Sequence, residues 1–464
     1  MMMNWKARRV LILGAARQGL ALARYLCERG ASVVLNDRRS AAELAAAQAE
    51  LADLPLEWVL GEHPVELLDG IDLVCPSGGV PLTLPLLVAA RQRGIPFSND
   101  SQIFLEAAPC RVVGITGSAG KTTTTTLLGR MAAAQAETDP SLRRVWVGGN
   151  IGNPLITELD QMAPQDLAVV ELSSFQLELM RCAPQVAVIL NITPNHLDRH
   201  GSMAAYTAAK AQILAHQGAE DIAVLGHDDP GAWSLVPKVR GELFSFGWQR
   251  QPEVRSGVFL DGEWISRWQG EAVTPLLSRQ QIALRGEHNV LNVLAACAVA
   301  QALGFSVQST QAGAQDFGGV PHRLELVRQW GGARWYNDSI ATAPERAMAA
   351  IRSFDEPLIL LAGGRDKDLP WQEFAELVCR RVDHLILFGE AADLIAQQIA
   401  QLPGRPEKLT VETYPTLEPA IRAAARTVQG GEVVLLSPGG TSFDEFVDFA
   451  ERGECFRKWV NNLP

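Results

Sequence analysis

The chain has 464 residues, too many for one ordinary hydrophobic core and enough for two or three domains. Apolar residues make up 47% and charged residues 20%, the balance of a soluble globular protein, and a formal net charge of −11 removes any overall attraction to nucleic acid while leaving room for a local phosphate site. The seven cysteines, at 27, 75, 110, 182, 297, 379 and 455, are odd in number, scattered and without C-x-x-C spacing, which argues against a disulfide framework or zinc site and for a reducing cytoplasm.

In chain order, residues 10–13 read as a first β-strand rather than a signal peptide, because the apolar run is short and Arg17 follows it. A helix over 19–29 and a strand over 31–35 ending in Asn36-Asp37 come next. An Ala-rich helix over 41–52 follows, then a strand over 71–75 before the turn Ser77-Gly78-Gly79-Val80-Pro81. Strand–helix–strand alternation predicts a parallel sheet with ligands at the strands' C-terminal ends. Gly14-Ala15-Ala16-Arg17-Gln18-Gly19 lacks the middle glycine that a dinucleotide pyrophosphate needs, so the turn suits another nucleotide-like ligand or is simply a turn. Asp37 stands at the second strand's end, where an acidic group often meets a ribose or base. This first domain closes at residue 108. No apolar run approaches the ~18 residues of a membrane span.

The second domain, 109–317, opens with the most specific signal in the chain. Val112-Val113-Gly114-Ile115 runs into Thr116-Gly117-Ser118-Ala119-Gly120-Lys121-Thr122-Thr123-Thr124, a strand, a Gly-rich turn and a Lys-Thr pair that begins a helix. Backbone N–H groups and a helix N-terminus there face an anion, Lys121 adds charge, and the Thr122 hydroxyl is placed for the Mg²⁺ that accompanies a nucleoside triphosphate. Ile115 occupies the place of the first glycine in the longer phosphate-loop pattern, so this is the shorter Thr-Gly-x-x-Gly-Lys-Thr form. Buried strands are predicted over 167–172 and 186–192. Glu171 ends the first, and the second leads into Asn191-Ile192-Thr193-Pro194-Asn195-His196-Leu197-Asp198-Arg199-His200. A strand-end carboxylate beside a phosphate loop suits Mg²⁺, and His196 gains interest from the same neighbourhood. Lys210 falls on a helix over 202–215 with Ser202 as N-cap, and by itself reads as a solvated lysine. Residues 226–283, rich in Trp, Gly and turn formers, read as irregular β-structure attached to the nucleotide core.

The third domain, 318–464, follows Gly318-Gly319-Val320-Pro321. Strands over 357–362, 384–388, 409–413 and 433–437 alternate with helical patterns. The fold class is α/β throughout: a Rossmann-like N-terminal domain, a P-loop ATPase-like central domain and a Rossmann-like C-terminal domain.

Taken together, these segments resemble the Mur ligase family. The resemblance runs in order through 117–124, Gly148-Gly149-Asn150-Ile151-Gly152, Glu171-Leu172-Ser173-Ser174-Phe175-Gln176-Leu177-Glu178, 191–199, Tyr206-Thr207-Ala208-Ala209-Lys210 and Gly286-Glu287-His288-Asn289-Val290-Leu291-Asn292. It continues through Pro321-His322-Arg323, Asn337-Asp338-Ser339, Gly363-Gly364-Arg365-Asp366-Lys367, Leu436-Ser437-Pro438 and Ser442-Phe443-Asp444. The Leu-Ser-Ser-Phe-Gln-Leu and Ser-Phe-Asp-x-Phe segments resemble the D-glutamate-adding branch in particular.

The resemblance implies a cytoplasmic, monomeric enzyme of peptidoglycan-precursor synthesis, with ATP and Mg²⁺ as cofactors and no nucleic-acid or membrane partner. ATP would phosphorylate the alanine carboxylate of UDP-N-acetylmuramoyl-L-alanine, and the amine of D-glutamate would displace phosphate from the acyl phosphate. It assigns Lys121, Glu171, His196 and Lys210 to catalysis, and Thr122, Glu171, His196 and Lys210, the last as a carbamate, to metal. ATP would meet Gly117, Ser118, Ala119, Gly120, Lys121, Thr122, Thr123, Asn289, Asn292, Arg323 and Asp338. The UDP substrate would meet Gly14, Arg17, Asp37, Arg38, Ser77, Asn150, Ser173 and Gln176, and glutamate would meet Thr342, Lys367, Ser442 and Phe443. Three residues depart from the family pattern: Ala119 in place of Asn, Ile340 in place of Lys, and Gly78 in place of Pro, the last expected to loosen its turn. The alternatives are a sister ligase adding another amino acid, including the folate polyglutamylating kind, a nucleotide-sensing protein without turnover, and a dehydrogenase built on the first domain. The compact first domain and Ser442-Phe443 disfavour the first, Glu171, His196 and Lys210 together the second, and the turn at 14–19 the third.

Overall fold

The computed structural model describes residues 4–150, 154–284, 286–367, 369–403, 406 and 408–464. Of the motif residues quoted above, Ile151 and Gly152 lie outside the described residues. The strands form three sheets. In the first, β1 (Arg9–Leu13), β2 (Ser32–Asp37), β3 (Leu56–Leu60) and β4 (Leu73–Pro76) lie in the order β3-β2-β1-β4, all parallel. The helix Arg17–Glu28 follows β1 and buries Leu20, Leu22, Ala23 and Leu26 against the sheet's apolar residues. Residues 41–52, expected as one helix, are helical only over Ala45–Glu50.

The central sheet has nine strands. They are β5 (Arg111–Thr116), β6 (Val145–Gly149), β7 (Leu167–Glu171), β8 (Val186–Ile189), β9 (Ile222–Gly226), β10 (Glu242–Gly247), β11 (Ser256–Asp261), β12 (Trp264–Gln269) and β13 (Ala272–Ser278). Their order is β13-β12-β11-β10-β9-β8-β5-β7-β6. From β6 to β11 the pairs are parallel, and β11-β12-β13 form an antiparallel ribbon at one edge. Residues 226–283 therefore extend the main sheet as regular strands instead of forming an irregular appendage. Glycines 257, 262 and 270 and Pro275 dilute the alternation along this stretch. Val258, Ile265 and Leu277 nevertheless share one buried side, and Trp268 is buried on the other.

The third sheet has the order β14-β15-β19-β16-β17-β18. Its strands are β14 (Glu325–Trp330), β15 (Ala333–Asn337), β16 (Leu358–Gly363), β17 (His384–Phe388), β18 (Thr410–Tyr414) and β19 (Val433–Gly439), parallel except for the β14–β15 pair. The sequence reading found four of these and missed β14 and β15. The six residues of β14 are only half-buried or exposed, and the strand lacks a continuous apolar run.

The chain divides into two compact units, Met1–Ile282 with Glu287–Phe317, and Ala283–Gly286 with Gly318–Pro464. The first two sheets thus share one unit. Asn99 Nδ2 donates to the Gln176 carbonyl at 2.8 Å, Gln176 Nε2 donates to Ser101 Oγ at 2.7 Å, and Arg29 pairs with Asp160 at 2.5 Å. None of the seven cysteines forms a disulfide. No helix among the described residues is long and apolar enough to cross a membrane.

A buried carboxylate ties β6 to β7. Asp166 accepts from Arg143 Nε and Nη2, both at 2.7 Å, from Trp146 Nε1 at 2.8 Å and from the Ala163 N–H at 3.0 Å. The Arg143 hydrogen bonds lead in holding its pKa at about 2, against the opposing effect of burial. A pKa depressed on folding stabilises above the ordinary Asp value and loses that contribution as pH falls toward 2. Asp166→Asn is expected to cost about 2 kcal/mol at pH 7. The deficit should shrink between pH 4 and 2, measured by urea denaturation; a deficit that does not change with pH contradicts the assignment.

Candidate active site

The centre of the site is built from neighbouring strand ends of the central sheet. β5 stops at Thr116, and the chain turns through Gly117-Ser118-Ala119-Gly120 into the helix Lys121–Ala136. Gly120 has φ +84°, and a Cβ there would fall 2.1 Å from Asn292 Oδ1, so the turn accepts no side chain at this point. Asn191, two residues past β8, holds the turn from the side. Its Oδ1 accepts the Ala119 N–H at 2.9 Å, and its Nδ2 donates to the Ala119 carbonyl at 3.2 Å. The Ser118 hydroxyl donates to the Thr193 carbonyl at 2.9 Å and meets the Tyr206 hydroxyl at 3.0 Å. Lys121 lies back across the loop, its Nζ donating to the carbonyls of Gly117 at 2.9 Å and Ser118 at 3.3 Å.

Glu171 ends β7 in register with Ile115 of β5 and Gly149 of β6. Its buried carboxylate takes the Thr122 hydroxyl on Oε2 at 2.8 Å and Asn150 Nδ2 on Oε1 at 3.1 Å. Gly149, at φ +102°, would place a Cβ 2.5 Å from the Glu171 carbonyl oxygen. Only glycine lets β6 close on β7 here and present Asn150 to the carboxylate.

Lys210 comes from the helix Met203–Ala215, whose N-terminus is capped by Ser202 as expected. Its amine is buried and donates to the Gly117 carbonyl at 2.8 Å and the Thr116 hydroxyl at 3.3 Å. Burial, followed by the neighbouring Lys121 charge, brings its pKa down to about 7. Lys210 is thus not the solvated lysine that its helix alone suggests. His196 is exposed at the N-cap of the short helix Leu197–His200, with φ +52° and its ring 5.1 Å from that of Phe175. Ser173 and Gln176 form a capping box, and Gln176 is buried.

Two cavities flank this centre. One of about 280 Å³ adjoins the phosphate loop and is lined by Ala119, Gly120, Asn191, Phe246, Trp248, His288 and Asn292. Asn292 Nδ2 donates to Asn289 Oδ1 at 3.0 Å, which sets these two expected residues side by side. The other, of about 880 Å³, brings together Gly14, Arg17, Asp37, Arg38, Ser77 and Asn150, all expected, with Arg39, His63 and the 78–81 turn, which the sequence reading did not single out as ligand-facing. Burial opposes the charge on Asp37. Arg39 and the N–H groups of Arg39 and Ala15 outweigh it and hold the carboxyl below the ordinary range. Gly78, expected to loosen its turn, has its carbonyl tied to Arg199.

In the second compact unit, Asp338, Lys367 and Ser442 follow the C-terminal ends of β15, β16 and β19. Asp338 accepts the Ser437 hydroxyl at 2.8 Å and the Leu324 N–H at 3.2 Å, and burial pushes its pKa up to about 7. Ser442 is buried, Arg323 and Thr342 are half-buried, and Lys367 and Phe443 are exposed.

Mg²⁺ prefers oxygen ligands and usually completes its shell with substrate phosphates and water. Thr122 Oγ1 and Glu171 Oε2 fit that donor set. Among the described residues no three Asp, Glu, His or Cys side chains gather as a metal-binding group. Asn191 and Tyr206 lie within the sequence motifs, and only the fold gives them partners on the loop. The signal for Asn191 was its place as the first polar residue after an apolar strand.

Family models match the chain in three consecutive blocks: a Mur ligase MurD-like N-terminal domain over 8–98, a Mur ligase middle domain over 115–300 and a Mur ligase glutamate ligase domain over 322–440. The chain belongs to the Mur ligase family. It is 40% identical over its whole length to the UDP-N-acetylmuramoylalanine–D-glutamate ligase of Pelotomaculum thermopropionicum, covering 99% of that protein. It is also 40% identical to the protein of the same name from Geotalea daltonii, over 99% of each chain. Among solved structures, the UDP-N-acetylmuramate-alanine ligase of Thermotoga maritima superposes with a TM-score of 0.55 at 18% identity, covering 98% of this chain and 99% of that one. The MurF ligase of the same organism, in complex with ADP, gives 0.53 at 20% identity over 99% and 97%. These two likenesses extend the shared fold to three α/β domains.

In this Mur ligase, Lys121→Ala is expected to lower substrate-dependent phosphate release by about 10²–10³-fold while leaving the circular dichroism spectrum and unfolding midpoint unchanged. Near-normal turnover in the folded variant would remove Lys121 from the phosphate site.

Proposed function

We propose that this Mur ligase joins D-glutamate to UDP-N-acetylmuramoyl-L-alanine at the expense of ATP. Family membership makes it an ATP-dependent amide ligase of peptidoglycan-precursor synthesis. The curated relatives' names support the finer choice of substrate and amino acid. The observation that carries most weight is the double engagement of Glu171: one carboxylate oxygen takes the Thr122 hydroxyl at the phosphate loop, the other takes Asn150, which lines the large cavity. A substrate reaching from that cavity past Asn150 meets the nucleotide phosphates at Glu171.

The chemistry needs this convergence. A carboxylate is a poor electrophile, so its oxygen first takes the γ-phosphoryl group of ATP, and ADP leaves. The neutral amine of glutamate then attacks the acyl carbon, and the tetrahedral intermediate expels phosphate to leave the amide. The first step brings two anions together. Lys121 and the N-terminus of the helix Lys121–Ala136 offset the repulsion and stabilise the transferring group. Mg²⁺, when bound, supplies further positive charge to the phosphate oxygens, with Thr122 and Glu171 as the residues that would hold it and His196 and a modified Lys210 as further candidates. Asn289, Asn292, Arg323 and Asp338 are proposed for the nucleotide. Gly14, Arg17, Asp37, Arg38 and Ser77 are proposed for the UDP moiety, and Thr342, Lys367, Ser442 and Phe443 for glutamate. Ser173 and Gln176 would act on the substrate chiefly by shaping the turn that follows Glu171.

Phosphate release with ATP and UDP-N-acetylmuramoyl-L-alanine is expected with D-glutamate and not with L-glutamate, D-aspartate or L-lysine. Preference for another amino acid would move the chain to a sister activity. Lys210 as a carbamate gives a second expectation. Lys210→Ala should lose activity, and short carboxylic acids should partly restore it by returning an anion to the vacated position. Full activity of the variant without added acid excludes the role.

A further inference from the structure

We propose that Arg199 is a positioning residue for the UDP-linked substrate, holding the 77–81 turn of the large cavity in its binding shape. The proposal rests on the reading of that cavity given above. Arg199 lies on the short helix Leu197–His200, more than a hundred residues from the turn in sequence, yet its guanidinium serves three consecutive carbonyls there. Nη1 donates to Gly79 at 3.1 Å, and Nη2 donates to Gly78 at 3.3 Å and Val80 at 3.1 Å. A planar fork with fixed donor directions suits such a convergence, and a single ammonium does not.

The guanidinium is itself held in place. It lies over the ring of Phe175, 4.7 Å from the centroid. Phe175 stacks on His200 at 5.3 Å with an interplanar angle of 2°, and His200 Nε2 meets Ser174 Oγ at 3.0 Å. Phe175 and Ser174 belong to the turn that follows Glu171. Arg199 therefore connects the wall of the substrate cavity to the segment that carries the reaction centre.

The Val80 N–H closes the turn onto the Ser77 carbonyl at 2.9 Å, which leaves the Gly78 and Gly79 carbonyls to Arg199. At its first residue, the Ser77 N–H donates to the Leu13 carbonyl at 2.8 Å and the Ser77 hydroxyl to the Gly14 carbonyl at 3.2 Å, which hangs it from β1. Gly78 and Gly79 then follow in succession, and a Cβ built at Gly79 meets no atom within 4 Å. A Cβ at Gly78 would meet only Phe175 Cβ, at 3.5 Å, and two adjacent glycines so loosely surrounded sample many conformations unless their carbonyls are fixed. Without the clamp, substrate binding has to order the turn, and the loss falls on affinity. The phosphate loop is held separately by Asn191, so ATP binding and the chemical step are spared.

The test is calorimetric titration of the full-length protein with UDP and with UDP-N-acetylmuramoyl-L-alanine, together with steady-state kinetics. The variants are Arg199→Ala, Arg199→Lys and the double variant Arg199→Ala/Gly79→Ala. Arg199→Ala is expected to raise Kd for both ligands and KM for the UDP substrate about tenfold, with kcat and the KM for ATP changed less than about twofold. Arg199→Lys should fall between, because one ammonium reaches fewer of the three carbonyls. Adding Gly79→Ala should recover part of the affinity, since a Cβ narrows the states of an unclamped turn. A merely structural arginine would lower the unfolding midpoint without this KM-selective pattern and without rescue. Affinity equal to wild type in both single variants, or a fall in kcat at unchanged KM, overturns the proposal. Wild-type protein that binds neither ligand overturns the cavity reading and the proposal with it.

Discussion

One buried carboxylate holds the site together. Glu171 sits at the end of β7 with almost no solvent contact, where an ionised group costs several kcal/mol unless donors meet it. The donors come from two directions: the first helical turn after the phosphate loop, through Thr122, and the end of β6, through Asn150. Parallel pairing makes this possible, because it brings the C-terminal ends of β5, β6, β7 and β8 to one edge of the sheet. Each donor fixes one neighbour of the carboxylate. The loop and the cavity wall consequently share a register that neither has alone.

Charge beneath the loop is arranged with similar economy. Lys121 crosses the loop on two carbonyls, and Lys210 is buried against Gly117 and Thr116. Two ammonium groups this close repel, and burial already disfavours the charge on Lys210. The result is an amine, Lys210, that exchanges its proton near neutrality beside Lys121. A neutral amine is nucleophilic and a protonated one is not, so the same burial that makes Lys210 unusual also makes it chemically available.

Two of the three sheets act as one body because polar groups cross between them. Asn99, Ser101 and Gln176 link the helix that ends the first domain to the turn after Glu171, and Arg199 reaches back to the 78–80 carbonyls. Such contacts are worth most where water is excluded, and Asn99, Ser101 and Gln176 are all buried. The large cavity lies against this seam: five of the six expected residues that line it come from the first sheet's strand ends and turns, and Asn150 comes from the second.

The sequence by itself determined the α/β class, about half of the strands and the phosphate loop. These features are local: apolar runs of strand length, glycines at a tight turn, and Lys-Thr at a helix start are set by the chain's immediate neighbours. Ordered motifs along the chain likewise carried the family. Tertiary structure decided what local pattern cannot encode. β14 and β15, and the regular strands within 226–283, become strands through pairing partners, since their own alternation is diluted by polar residues and glycines. Asn191 and Arg199 acquire their roles from carbonyls and N–H groups 72 and about 120 residues away. Lys210 reads as a solvated helix residue until burial against the loop removes its water. Contacts, burial and electrostatic environment depend on which distant segments meet, and that is fixed only when the parallel strands pair and bring their ends to a common edge.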